Sequence, residues 1–188
     1  MLYNFLEIDI GLTAIDNLTA RRGRWLVVYD KTNKVNEIMC QSWQVNKNNH
    51  GKSQYVDIDK RYIDVAEHVW HYLIHAVTAI RRKKYWRAVG EMDLARNMLI
   101  ELLGYKYSLE TKRFRDVDEF PEKAKNVLGR TLAVNLSQAD LSRSLYALIN
   151  AVYEELDEFF ENSDYVIKVG KDDVFAYFSD VLGNIAKS

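Results

Sequence analysis

The chain has 188 residues, enough for one domain with a core that needs no staples. With 48% hydrophobic and 28% charged residues its composition is that of a globular protein. Its 26 Lys and Arg against 27 Asp and Glu give a net charge of −1, which argues against a dedicated nucleic-acid binder. The single cysteine, Cys40, excludes a disulfide framework within one chain and a cysteine-based zinc cluster. No apolar run approaches the roughly 18 residues of a membrane span, and no signal peptide is visible, so the expectation is a cytoplasmic protein with no membrane partner.

In chain order, the first third predicts β structure. Leu2 to Ile10 alternates, with Asn4 and Glu7 breaking the phase, and Gly11 ends the run. Trp25 to Tyr29 is continuously apolar and leads into Asp30-Lys31-Thr32-Asn33, a turn. A further strand is predicted within Val35 to Val45. The polar stretch Asn46 to Ser53 is the expected boundary.

The remainder predicts helices, favoured by a single proline, Pro121, and only eight glycines. Ala66, Val69, Trp70, Leu73, Val77 and Ile80 share one face at a period of 3.6. Tyr85, Ala88, Val89, Met92, Ala95, Leu99, Leu102 and Leu103 form a second face. A third helix opens at Phe120-Pro121-Glu122. In the fourth, Leu141, Leu145, Leu148, Ile149, Val152, Leu156, Phe159 and Phe160 make an unbroken stripe, with Ser137 or Asp140 as the cap. A last helix covers about Asp172 to Ile185. The predicted fold is therefore mainly α: a helical bundle over 55–188 with a short β appendage over 1–50.

Phe5 to Leu12, then Ile15-Asp16-Asn17-Leu18, then Trp25 to Lys31 resemble part of the antibiotic nucleotidyltransferases, and most closely the aminoglycoside 6-adenylyltransferase-like group. That family places a carboxylate at a strand end, then a short helix and a strand leading to a turn of the Tyr29-Asp30-Lys31 type. Its helical domain carries a Trp and an Arg about ten residues apart, as Trp86 and Arg96 are here. The family places a Gly-Ser turn and an Asp-x-Asp pair before the strand that Glu7 and Asp9 would occupy, and neither stands there in this sequence. The resemblance thus implies an incomplete nucleotidyltransferase α/β region, natively short or begun at an internal methionine, and inactive alone. Magnesium and ATP are implied only if the missing elements are supplied.

By the same resemblance Asp9 stands for the third carboxylate, a general base on the attacking hydroxyl, with Glu7 two residues earlier on the same face of a strand. Trp86, Glu91 and Arg96 stand for substrate contacts. The acidic run Glu154, Glu155, Asp157, Glu158, Glu161 and Asp164 contains no basic residue, and it lies in the last turns of a helix, where the dipole disfavours negative charge. Polycationic aminoglycosides are the ligand that the family supplies for it.

Other constellations have separate readings. Asp64, His68, His71 and His75 fall on one helical stripe, and the three imidazoles are candidate ligands for a divalent transition metal. Arg61 and His68, with six residues between them, resemble loosely the Arg-x(4–6)-His pattern of HEPN-type ribonucleases. Arg81, Arg82, Lys83, Lys84 and Arg87 make a basic hinge between two helices. Arg96 borders the apolar stripe, so an ion pair is expected for it. Two functions compete: a nucleotidyltransferase-like protein, and a HEPN-like binding module or ribonuclease-type toxin partner. A homodimer joined through the N-terminal strands is expected, because bare strand edges recruit a second chain.

Overall fold

A computed structural model describes residues 12–20, 25–49 and 57–183. It is mainly helical: α1 (Val35–Asn49), α2 (Ile58–Arg81), α3 (Tyr85–Tyr107), α4 (Glu122–Arg130), α5 (Gln138–Phe160) and α6 (Lys171–Leu182), with single 3-10 turns at Ile15–Asn17, Lys112–Phe114 and Val117–Glu119. Among the described residues there is no strand. The chain divides into two units, residues 1–56 and 57–188.

In the first unit the predicted strand within Val35–Val45 is instead α1. The cause is local. The Asp30 carboxylate accepts from the Thr32 backbone N–H and hydroxyl at 2.9 and 2.8 Å, and from the Val35 N–H at 2.7 Å. This fixes the expected turn and satisfies a donor at the helix start, after which Glu37, Met39 and Gln41 continue as good helix formers. The same helix takes in Asn46 to Asn49 of the polar stretch. Trp25 to Tyr29, read as a strand, is irregular backbone with Leu26, Val28 and Tyr29 exposed. The strand read at Leu2–Ile10 lies outside the described residues, as do Glu7 and Asp9.

The second unit follows the helical periodicities. Asp57 caps α2 by accepting from the Lys60 N–H at 3.1 Å, and Ser137 caps α5 by accepting from the Asp140 N–H at 3.2 Å. A short turn, Arg82 to Lys84, reverses the chain, so α2 and α3 form an antiparallel hairpin. α5 packs against both, α6 against α2 and α5, and α4 against α5. Glu155 of α5 meets Tyr62 and Lys106, so the C-terminal end of α5 lies beside the start of α2 and the end of α3. Lys168 on Glu67 and Tyr177 on Thr78 run α6 parallel to α2. The core contains Leu73, Ile80, Met92, Leu99, Leu102, Leu145, Leu148, Ile149, Tyr153 and Phe178, all fully buried, each worth roughly 1.5–3 kcal/mol of apolar burial or more. At Gly104 a Cβ would stand 2.5 Å from Thr111 Cγ2 and 3.1 Å from the Leu109 carbonyl, so glycine lets the loop after α3 fold back onto the helix.

Candidate functional site

The strongest concentration of polar chemistry lies where α2 begins and α3 and α5 end. Glu155 falls on the apolar stripe of α5, in register with Leu148, Val152 and Phe159, and is only 7% exposed. A carboxylate so placed needs partners. Tyr62 donates to it at 2.9 Å, with the Leu102 carbonyl a further 3.3 Å neighbour of the phenol, and Lys106 Nζ donates at 2.9 Å. Lys106 also donates to Glu158 at 2.8 Å, so one ammonium bridges two carboxylates. Phe159 stacks on Tyr62 with centroids 3.6 Å apart and planes 10° apart.

Beside this group Arg61 forks onto Glu101, Nε to Oε1 at 3.0 Å and Nη2 to Oε2 at 2.7 Å, and Tyr105 donates to the same carboxylate at 2.8 Å. The protonation behaviour follows from these contacts. Burial pushes the Tyr62 phenol far above its usual range, and the adjacent Glu155 charge adds to that. Burial and the Glu101 bond push Tyr105 up to about 12. Burial works to raise the Glu101 carboxyl, but the bonds from Arg61 and Tyr105 outweigh it and hold the group below the usual carboxylate range. Burial likewise works to lower Lys106, and its two carboxylates reverse that and keep it charged. The hydrogen bond and charge of Lys106, with a smaller contribution from Lys123, hold Glu158 below its usual value against burial.

Ile58, Tyr62, Tyr105, Lys106, Glu155, Glu158 and Phe159 line an open cleft of about 350 Å³. Its chemistry is aromatic and acidic with one resident cation. The residues that build it were legible only in part. The sequence points to Glu155 and Glu158 as ligand contacts and to Phe159 only as part of an apolar stripe; it does not point to Tyr62, Tyr105 or Lys106. The available signal was Glu155 itself: an acid on an apolar helical stripe demands a hydroxyl and a cation from facing helices.

The remaining candidates lie elsewhere. Glu154 is exposed and 3.9 Å from Lys171, and Asp157, Glu161 and Asp164 are exposed. Trp86 is 78% exposed near the start of α3, about 30 Å along that helix from Lys106 at 1.5 Å per residue. Glu91 pairs with Arg87 at 3.3 Å and faces His75 at 3.8 Å. Arg96 has the expected ion pair, with Asp93, and its remaining donors bind the Thr131 hydroxyl and carbonyl at 2.9 and 2.7 Å, tying α3 to the end of α4. Trp86, Glu91 and Arg96 are therefore not gathered with the acidic residues of α5.

His68 and His71 are exposed and His75 is half-buried, with the His71 and His75 rings 4.1 Å apart. His68 Nδ1 lies 2.6 Å from its own helix's Asp64 carbonyl. Among the described residues no group of three or more His, Cys, Asp or Glu is arranged to hold a metal ion. Arg61, the other half of the Arg-x-His reading, is held by Glu101 two helical turns from His68. Among the described residues no helix is long and apolar enough to cross a membrane. Comparison of the chain with protein-family models, with curated proteins and with solved structures finds no match.

Proposed function

We propose that the helical unit is the ligand-binding part of a nucleotidyltransferase-like protein, and that the cleft between α2, α3 and α5 takes an amine-bearing, polycationic small molecule of the aminoglycoside kind. One observation carries this reading: the cleft already seats an ammonium, that of Lys106, between Glu155 and Glu158 with aromatic rings beside it. A ligand amine can replace Lys106 on the exposed Glu158, while Glu155 stays bonded to Tyr62. The rings of Tyr105 and Phe159, both partly exposed, supply apolar area and the attraction of a cation for an aromatic face. A volume of about 350 Å³ stands at the lower end of small-molecule sites, enough for part of such a ligand.

Adenylyl transfer is not part of what the chain does alone on this reading. It needs metal ions on the triphosphate and an aligned hydroxyl; the sequence has no Gly-Ser turn, and its Asp-x-Asp pairs, Asp57-Ile58-Asp59 and Asp116-Val117-Asp118, lie at the start of α2 and in the loop after α3. With no transfer chemistry the same cleft serves a binding module equally well. Titration calorimetry of the full chain against a panel of aminoglycosides tests the proposal. Binding should weaken about tenfold in Glu158→Gln, the loss expected for one charge-assisted hydrogen bond. Heat absent for every amine, or affinity unchanged in Glu158→Gln, overturns it.

A further inference from the structure

The net charge of −1 describes the whole chain, yet from His68 through Gly90 the sequence contains no Asp or Glu. That acid-free stretch includes the α2–α3 turn, where Arg81, Arg82, Lys83 and Lys84 are all exposed. None of the four makes a side-chain hydrogen bond or ion pair among the described residues, in contrast to Lys106, Arg61 and Arg96. Arg87, in the first turn of α3, is exposed and has a single partner in the half-buried Glu91. The turn also presents Trp86 at 78% exposure, whereas Trp25, Trp43 and Trp70 are each at least partly buried. An exposed indole set among unpaired cations is the pairing of groups that grips a flexible polyanion: ammonium and guanidinium on phosphates, and a ring on which a base stacks.

We propose that the α2–α3 turn binds single-stranded nucleic acid, with Arg81, Arg82, Lys83 and Lys84 on the phosphate backbone and Trp86 stacking on one base. A membrane surface is the weaker fit. Interfacial helices bury a continuous apolar face, and here Tyr85 and Val89, the apolar neighbours of Trp86, pack against the protein's own core. The site stands apart from the α2–α3–α5 cleft, so either assignment can fail without the other.

Fluorescence anisotropy of a labelled oligouridylate of about 15 nucleotides, titrated with the full chain, tests the proposal. Four phosphate contacts at about 0.7 each predict that log K falls against log salt with a slope near −3 between about 50 and about 200 mM. Trp86→Ala should weaken binding about tenfold, the loss of one stacked base, with helical circular dichroism unchanged. A variant carrying Arg82→Gln, Lys83→Gly and Lys84→Gln should weaken it further and flatten the salt slope; glycine at position 83 keeps the turn conformation. No anisotropy change at about 50 mM salt, or equal affinity in all three proteins, overturns the proposal. So does binding to phosphatidylserine vesicles without binding to the oligonucleotide, which would make the turn a membrane contact.

Discussion

The two ends of the α2–α3 hairpin, about 30 Å apart along either helix, treat charge in opposite ways. At the open end Arg61, Glu101, Lys106, Glu155 and Glu158 are all paired, with Tyr62 and Tyr105 filling the remaining acceptor positions. At the closed end Arg81 to Lys84 are exposed and have no side-chain partner among the described residues. The difference follows from burial. Glu155 is nearly enclosed, and an enclosed carboxylate without donors would cost several kcal/mol, so the fold must supply them. Exposed cations in a turn cost little, and nothing in the fold compels a partner for them. The paired end therefore contributes to stability and the unpaired end does not. That contrast can be broken or sharpened by substitution.

The largest effect is expected at Tyr62, which joins core and network: its ring is 2% exposed and stacked on Phe159, and its hydroxyl holds Glu155. Tyr62→Ala should destabilise by about 3–5 kcal/mol in urea unfolding, and Tyr62→Phe by about 1–2 kcal/mol, the share of the hydroxyl alone. Equal losses for the two would mean that the hydrogen bond dominates the packing. A loss below about 1 kcal/mol for Tyr62→Ala would remove the paired end from the stability account.

How far these features could be read from sequence depends on the range of the interaction that fixes them. The stripes Leu141 to Phe160 and Ala66 to Ile80 needed only a 3.6 period, and α5 and α2 follow them. Val35 to Val45 misled because Val, Ile and Trp at its positions suit a strand, while the Asp30 carboxylate that starts the helix acts from outside the window. The basic turn was plain because it is contiguous. The cleft was not, since its acids come from α5 and its phenols and ammonium from α2 and α3, 49 residues or more away from Glu155 in the chain. Trp86 and Arg96 show the converse. Their spacing suggested a shared task, but one is exposed and the other ties down Thr131.

A smaller effect, and one that depends on pH, is expected at the Arg61–Glu101 pair. Its carboxyl is held below its ordinary value in the folded chain, despite burial that works the other way. The unfolded chain therefore takes up the proton first as pH falls. The pair's contribution is whole above the unfolded value of about 4.3 and is lost as pH drops through the lower folded one. Both side chains remain about a third exposed, at 31% and 33%, so screening reduces the effect to about 1 kcal/mol. Urea midpoints of wild type and Glu101→Gln should differ at pH 7 and draw together as pH falls below the unfolded value of about 4.3. A difference that persists undiminished in acid would assign the role of Glu101 to packing and not to its charge.

The smallest effect should have the opposite sign, and it lies at the unpaired end. Lys83 has φ of 56°, the left-handed region that side chains with a Cβ avoid. Its N–H bonds the Ile80 carbonyl at 2.9 Å and that of Lys84 bonds Ala79 at 2.9 Å, the pair of bonds that closes a helix in a Schellman turn. Glycine is the residue such a position favours. Replacing lysine relieves a strain of about 1–2 kcal/mol, and the greater freedom of glycine in the unfolded chain takes back about 0.5–1 kcal/mol. Lys83→Gly should therefore stabilise by about 0.5–1 kcal/mol, a rise in Tm of about 1–4 °C. If it destabilises instead, the Lys83 side chain supports the fold, and the closed end is no longer the region whose charges the fold can do without. If it stabilises as expected, the ammonium at the apex of the turn is held there against the conformational preference of its own backbone, as a residue kept for contact with an anion would be.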